Sequence, residues 1–267
     1  MHGMLARMSL PQPAQSLNIL SLNCQFGRQS SLGDFFAALH AEEKYDFLLL
    51  QEVTAEVRDI FSYSGAYKML DIPANSTGDK RGGVTIAHRA SYIPEAVEHL
   101  SLCELFRSSR STHYGMAVAD FALPQGIVSV ASLHLHAGFR SDRRKREMHF
   151  VKNFLQERAT KLGGSTIVGG DFNNGYPWEQ YRTDTLFAPF FTNVTTGIGG
   201  TLDSMYAEPA GNIINDISWL LGRVGVHATV KVDHIYVDRS LAVKPVHSRK
   251  LPDRVSDHSP IEAMIIT

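Results

Sequence analysis

Short apolar runs rich in β-branched residues and leucine recur along the chain, with amphipathic stretches between several of them. Such an alternation predicts strands interleaved with helices. Leu17–Asn23 reads as a buried strand, Leu32–Glu43 as a helix with Phe35, Phe36 and Leu39 at helical spacing, and Tyr45–Gln51 as a second apolar strand. Gly82–His88 and Ser91–Leu100 are expected to pair as a hairpin. So are Met116–Phe121 and Gly126–His134, across Ala-Leu-Pro-Gln. Arg143–Lys161 is the longest helical pattern, with Phe150, Val151, Phe154 and Leu155 along one side and Gly163-Gly164 at its end. Ser165–Val168 leads as a strand into Gly169-Gly170-Asp171. Thr192–Asn212 reads as polar loop, Ile213–Leu221 as a short helix, and Val230–Val237 and Pro260–Ile266 as closing strands. Hairpins mixed with βαβ units define an α/β fold with mixed sheets.

Composition narrows this picture. A chain of 267 residues, 43% hydrophobic, suits one large layered domain over 17–267, behind a loose arm over 1–16 that carries Pro11 and Pro13. Met8 is an alternative start. No apolar run resembles a signal peptide or approaches a membrane span, so a soluble, cytoplasmic monomer with no membrane partner is expected. Lys and Arg number 26 against 27 Asp and Glu, which argues against attachment to nucleic acid by overall charge but leaves room for a local basic patch. Cys24 and Cys103 are distant and lack CxxC spacing, so neither a disulfide framework nor a thiolate zinc site is expected.

Polar residues at strand ends carry the chemistry. Asn23 ends the first strand, Glu52 follows LLLQ, and His134 ends SVASLH. Asp171 and Asn173 follow STIVGG, Asp233 lies inside VKVDHIYV, and Asp257-His258 precedes the last strand. In layered α/β folds such ends converge on a crevice. Taken singly, each has a plainer reading: Asn23 and Gly170-Asp171-Phe172-Asn173 as turns, Glu52 as a helix cap, His134 as a structural histidine, Asp257-His258-Ser259-Pro260 as a polar turn. Asp233 resists this, because a carboxylate in an apolar strand needs a partner. Oxygen donors without sulfur suit Mg²⁺, or Mn²⁺ in its place, better than zinc.

The ordered series SLNCQF, LLLQEV, SLHLH, GGDFNN, VDHIYV and SDHSPI resembles the endonuclease/exonuclease/phosphatase (deoxyribonuclease I-like) superfamily over about residues 17–267. The resemblance implies a four-layer sandwich of two packed mixed β-sheets flanked by helices. It implies a Mg²⁺-dependent hydrolase of phosphate esters, with Glu52 the principal metal ligand, Asn23 beside it contacting the metal or the phosphate, and Asp257 at or near the metal. Asp171 would orient or deprotonate the attacking water and Asn173 donate to that water or to the phosphate. His258, held by Asp233, would face the phosphate with His134 as a second histidine. His234 stands where the family often has tyrosine, a packing variation.

The substrate is expected to be a nucleic-acid phosphodiester, DNA or RNA, on the strength of the Arg140, Arg143, Arg144, Lys145 and Arg146 cluster. Arg143 and Arg144 are its candidate phosphate contacts, and Tyr176 and Trp178 its candidate stacking residues. Arg81, Arg107 and Arg110 are further rim candidates. The alternatives are a phosphatase or phosphodiesterase for a small phosphorylated molecule or lipid head group, and more distantly a catalytically inactive binding module. His134-Leu135-His136 has the HxH form of some zinc sites, but Ala137-Gly138 follows where a zinc site would need Asp-His.

Overall fold

The computed structural model describes residues 16–24, 31–71, 82–106, 114–137, 141–203, 223, 229–241, 247–250 and 256–266. The arm to residue 15, Met8, the helix expected over Ile213–Leu221, and Arg81, Arg107, Arg110 and Arg140 lie outside these residues.

One sheet has the order β13-β14-β1-β2-β4-β3 and the other β5-β6-β7-β8-β12-β9. The first is built from β1 (Ser16–Asn23), β2 (Phe47–Val53), β3 (Tyr67–Met69), β4 (Gly83–Arg89), β13 (His247–Lys250) and β14 (Ile261–Ile266). The second uses β5 (Pro94–Ser101), β6 (Gly115–Leu123), β7 (Gly126–His134), β8 (Ser165–Asp171), β9 (Phe191–Asn193) and β12 (Asp233–Asp238). A small ribbon pairs β10 (Leu202–Asp203) with β11 (Thr229–Val230). Both large sheets are mixed: β1 runs parallel to β2 and antiparallel to β14, and β7 runs parallel to β8 and antiparallel to β6.

The period of two in the strands explains why they read as unbroken apolar runs. In β2, Phe47 and Leu49 face the second sheet, together with Ile19, Ala119, Phe121, Val130, Ile167 and Ile235. Leu48 and Leu50 face outward under α1 (Ser31–Glu42) and α2 (Ala55–Ser62), meeting Phe36, Leu39, Val57 and Phe61. On the far side, Val118, Leu133, Val168 and Tyr236 of the second sheet lie under α4 (Ser141–Leu162) and α5 (Pro177–Phe187) through Val151, Leu155 and Phe187. A single turn, α3 (Leu102–Leu105), follows β5. Helix, sheet, sheet, helix is the four-layer order, with three apolar seams.

Three sequence expectations change. The strands over 82–88 and 91–100 form, as β4 and β5, but they join opposite sheets instead of pairing. β4 is buried on both faces and needs neighbours on both edges, which β2 and β3 provide. β5 is half exposed and suits the edge position beside β6. The run Val230–Val237 is broken as well: Thr201 Oγ1 accepts from the backbone N–H of Val232 and of Asp233, both at 3.2 Å, so β12 starts only at Asp233. The stretch expected to be loop over 192–212 contains β10 and the end of β9, and its remainder from 204 lies outside the described residues.

Candidate active site

Strand register delivers the polar residues to one edge of the sandwich. The parallel pair β1 and β2 aligns Asn23 with Gln51, so Glu52 projects just beyond Asn23. In the second sheet His134 aligns with Asp171 in parallel, and Asp171 aligns with Asp233 in antiparallel. Asp257 and His258 arrive immediately before β14, which pairs back onto β1. The structure therefore gathers Asn23, Glu52, His134, Asp171, Asp233, Asp257 and His258.

The backbone is shaped for this meeting. Glu52 has φ 54° at a register shift in the β2–β4 ladder, and Asn173 has φ 50°. Left-handed backbone at non-glycine residues is costly and concentrates at functional sites. Gly82 lets β4 close on the first of these turns, because a Cβ there would lie 2.6 Å from the Glu52 carbonyl carbon. Gly170, at φ 148°, brings β8 so close to β7 that a Cβ would strike Leu133 O.

Asn23 links the two sheets. Its Nδ2 donates to Glu52 Oε1 and to Asp171 Oδ2, each at 3.1 Å. His134 Nε2 lies 3.5 Å from Asp171 Oδ2 and 3.9 Å from Glu52 Oε1. His258 Nδ1–H donates to Asp233 Oδ2 at 2.8 Å, which turns Nε2 toward Asp171 Oδ2 and Asp257 Oδ1, both at 3.9 Å. Asp233 thus has the partner its place in an apolar strand required. Asp171 Oδ1 accepts from Asn173 N–H at 2.8 Å, and Asn173 Nδ2 donates to Leu135 O, so Asn173 locks the loop beside His134.

Charge is crowded here. Burial first, then the neighbouring Asp257 and Asp171 carboxylates, push Glu52 up to about 8, against Asn23 and His258. Burial raises Asp171 to about 7, with Asp233 adding and His258 opposing. Asp257 is raised by burial too. For His258, burial alone would lower the value, but Asp233, Asp257 and Asp171 outweigh it and hold the imidazolium well above the usual histidine range. One cation, His258, thus faces several acids that cannot all ionise unaided.

A divalent cation fits that imbalance. No three Asp, Glu, His or Cys side chains converge as a preformed metal cage among the described residues. Glu52, Asp257 and Asn23 instead offer a sparse set of hard oxygens, the pattern of an ion that keeps several positions for water and phosphate.

Other expected residues lie elsewhere. Arg143 and Arg144 turn inward: Arg143 Nε reaches Glu147 Oε1 at 2.7 Å, and Arg144 NH2 reaches Glu179 Oε1 at 2.6 Å while NH1 donates to His136 O. Burial of the inner face of α4 accounts for this, since 144, 147, 148 and 151 are all covered. Tyr176 and Trp178 stack on each other, with centroids 4.4 Å apart and planes 12° apart, and Trp178 is 55% exposed. His234 is a buried neutral side chain, its pKa lowered to about 3 by burial. Nε2–H donates to Asn174 Oδ1, and Nδ1 accepts from Asn193.

Sequence reasoning missed two contributors. Ser256 Oγ donates to Asn23 O at 2.7 Å and accepts from His258 N–H at 2.8 Å, tying the first strand to the last loop. Its place in SDHSPI was the available signal. Tyr114 packs edge-on to His134 at 4.8 Å and stacks on His136 at 4.9 Å, a contact with no local sequence mark.

The sequence matches the profile of the endonuclease/exonuclease/phosphatase family over residues 20–258. The chain belongs to that family, whose members hydrolyse phosphate esters and generally use divalent metal ions, and it is a phosphate-ester hydrolase. Truncated TDP2 from Caenorhabditis elegans superposes with a TM-score of 0.69 at 15% identity, covering 94% of this chain and 98% of that one. TDP2 from D. rerio complexed with single strand DNA product gives 0.70 at 17%, covering 94% and 99%. A mannosyl-6-phosphatase from Bacteroides thetaiotaomicron gives 0.66 at 13%, covering 94% and 100%. No curated protein sequence matches.

Proposed function

We propose that the protein is a Mg²⁺-dependent phosphodiesterase acting on nucleic acid, with Mn²⁺ able to replace Mg²⁺. The observation that carries the chemistry is the Asp171–Asn23–Glu52 bridge set opposite the Asp233–His258 pair. Glu52, with Asp257 and Asn23, would hold the cation, which when bound supplies positive charge against the phosphoryl oxygens.

This chain's residues do the rest. Asp171 accepts from Asn23 and Asn173 and is raised to about 7, so near neutral pH it is poised to accept a proton from an attacking water. His258 keeps its charge through Asp233 and presents Nε2–H to a non-bridging oxygen, stabilising charge that grows in the transition state. His134 Nε2, beside both Asp171 and Glu52, is a second donor on the other flank. Water enters in line with the leaving oxygen, and the phosphorus configuration inverts. The Tyr176–Trp178 stack, directly after the Asp171 loop and with Trp178 exposed, supports a substrate that carries bases.

The test is hydrolysis of single- and double-stranded DNA, abasic DNA, RNA, bis-p-nitrophenyl phosphate, sphingomyelin and inositol phosphates, with Mg²⁺ or Mn²⁺, EDTA and His258→Ala as controls. EDTA-sensitive cleavage of a nucleic acid, abolished by the substitution, is expected. Turnover confined to inositol phosphates or sphingomyelin would overturn the nucleic-acid reading, and EDTA-resistant turnover the metal reading.

A further inference from the structure

A second surface lies outside the ring of carboxylates. Helices α4 and α5 run side by side away from the strand ends that carry His134 and Asp171. Arg144 of α4 meets Glu179 of α5, and one turn further Thr183 Oγ1 lies 3.0 Å from Met148 Sδ. The same sequence offset at both contacts makes the helices parallel. Between them lies a groove of about 690 Å³, floored by Met148 and Leu186 and rimmed by Lys145, His149, Lys152 and Arg182. Its acidic rim residues are Asp142 and Glu179, and Arg144 already neutralises Glu179. Among the described residues, no carboxylate forms an ion pair with Lys145, Lys152 or Arg182.

The aromatic side chains point the same way. On α5, Trp178, Tyr181, Arg182 and Thr185 share one helical face. Trp178 is 55% and Tyr181 72% exposed, and Tyr176 stacks on Trp178 where the helix leaves the Asp171 loop. Isolated exposed rings are ordinary, but the half-buried Tyr176 and the exposed Trp178 and Tyr181, in succession after the Asp171 loop, form a stacking platform beside a backbone track. Lys145 and Lys152 lie seven residues apart, roughly 10 Å along the helix axis, so the track is longer than one phosphate.

We propose that the α4–α5 groove binds single-stranded nucleic acid continuing from the scissile phosphate, with Lys145, Lys152 and Arg182 on its phosphates and Trp178 and Tyr181 under its bases. The proposal rests on the nucleic-acid reading of the adjacent site and extends it to an unpaired strand, since only unpaired bases offer their faces to side-chain rings.

The decisive comparison is the intact protein against the Lys145→Ala/Lys152→Ala/Arg182→Ala triple variant. Fluorescein-labelled oligothymidylate of roughly 20 nucleotides would be followed by anisotropy in EDTA across a salt series, beside a duplex of the same length. The triple variant should bind the single strand about 10- to 100-fold more weakly, and the slope of log affinity against log salt should fall by about 2, as for three lost phosphate contacts. Its turnover of bis-p-nitrophenyl phosphate, too short to reach from the active site into the groove, should match the parent, which also reports an intact fold. Unchanged single-strand affinity and slope overturn the proposal. So does binding to phosphatidylserine vesicles through the same three side chains with no binding to the oligomer. If the parent fails to hydrolyse bis-p-nitrophenyl phosphate with Mg²⁺ or Mn²⁺, the active-site reading fails, while the anisotropy still decides the groove.

Discussion

Replacing Glu52 by Gln should strengthen the metal-free fold at alkaline pH while removing its response to Mg²⁺. Glu52 rises from 4.5 to about 8, chiefly through burial and the Asp257 carboxylate. The folded value lies above the unfolded one, so between those limits the native protein holds a proton that the unfolded chain has released. Stability from this group is therefore full below about 4.5 and is lost as pH rises through about 8. At about 1.4 kcal/mol per pH unit, the loss is bounded by about 5 kcal/mol. Glu52 keeps 14% of its side chain exposed and shares its field with Asp171 and Asp257, which reduces the expected effect to about 2 kcal/mol. Gln keeps the shape and the contact with Asn23 but carries no charge. Urea unfolding in EDTA should show parent and variant alike at pH near 4.5 and the variant about 2 kcal/mol more stable near pH 8. Saturating Mg²⁺ should then stabilise the parent by about 2.7 kcal/mol at a hundredfold excess over its dissociation constant, and the variant far less. Equal stability in EDTA near pH 8, or an equal gain from Mg²⁺, would refute both the crowding and the ligand assignment.

Three further outcomes are expected. Asp233→Asn takes away the carboxylate that does most to keep His258 charged, so the alkaline limb of the pH–rate profile should move to lower pH; an unmoved limb removes His258 from the rate-limiting step. Arg144→Met leaves Glu179 buried and unpaired and should cost about 3–5 kcal/mol in thermal or urea unfolding, with Glu179→Leu added in the same chain recovering much of it. His234 is held neutral at about 3, below its unfolded value, so its contribution is full above about 6.5 and falls as pH drops through that range, by up to about 1.4 kcal/mol per pH unit. His234→Gln should flatten that part of the acid-unfolding curve, and an unchanged curve would mean that other groups set it.

Much of the architecture was legible because two-sided burial leaves a direct trace: Phe47–Leu50 are apolar without a break since one pair faces the other sheet and one pair faces helices. The partner of each strand was not legible. Nothing within Gly83–Arg89 or Pro94–Ser101 states that these neighbours belong to different sheets, because pairing is settled by the edges that remote strands leave open. Helix α5 also escaped notice, although Pro177 stands at its first turn, because the Gly-Asp-Phe-Asn-Asn before it reads as loop. In the site, Asp233 announced a partner by being a carboxylate in an apolar strand, and the pair with His258 supplied it. Arg143 and Arg144 misled for the opposite reason: a run of cations looks like a surface until helical phase turns two of them toward buried glutamates.

The pairing of β1 with β14 aligns Ser16 with Ile266, so the two ends of the described chain lie side by side in the first sheet. Asn23 leaves β1 and His258 precedes β14, and Ser256 fastens one to the other. During synthesis, therefore, Glu52, His134 and Asp171 emerge long before His258. If His258 acts as we propose, hydrolytic competence awaits the docking of β14 on β1, a contact of very large sequence separation and slow to form. On that reading a partly made or partly unfolded molecule lacks the imidazolium needed to attack phosphate esters around it, with no inhibitor required.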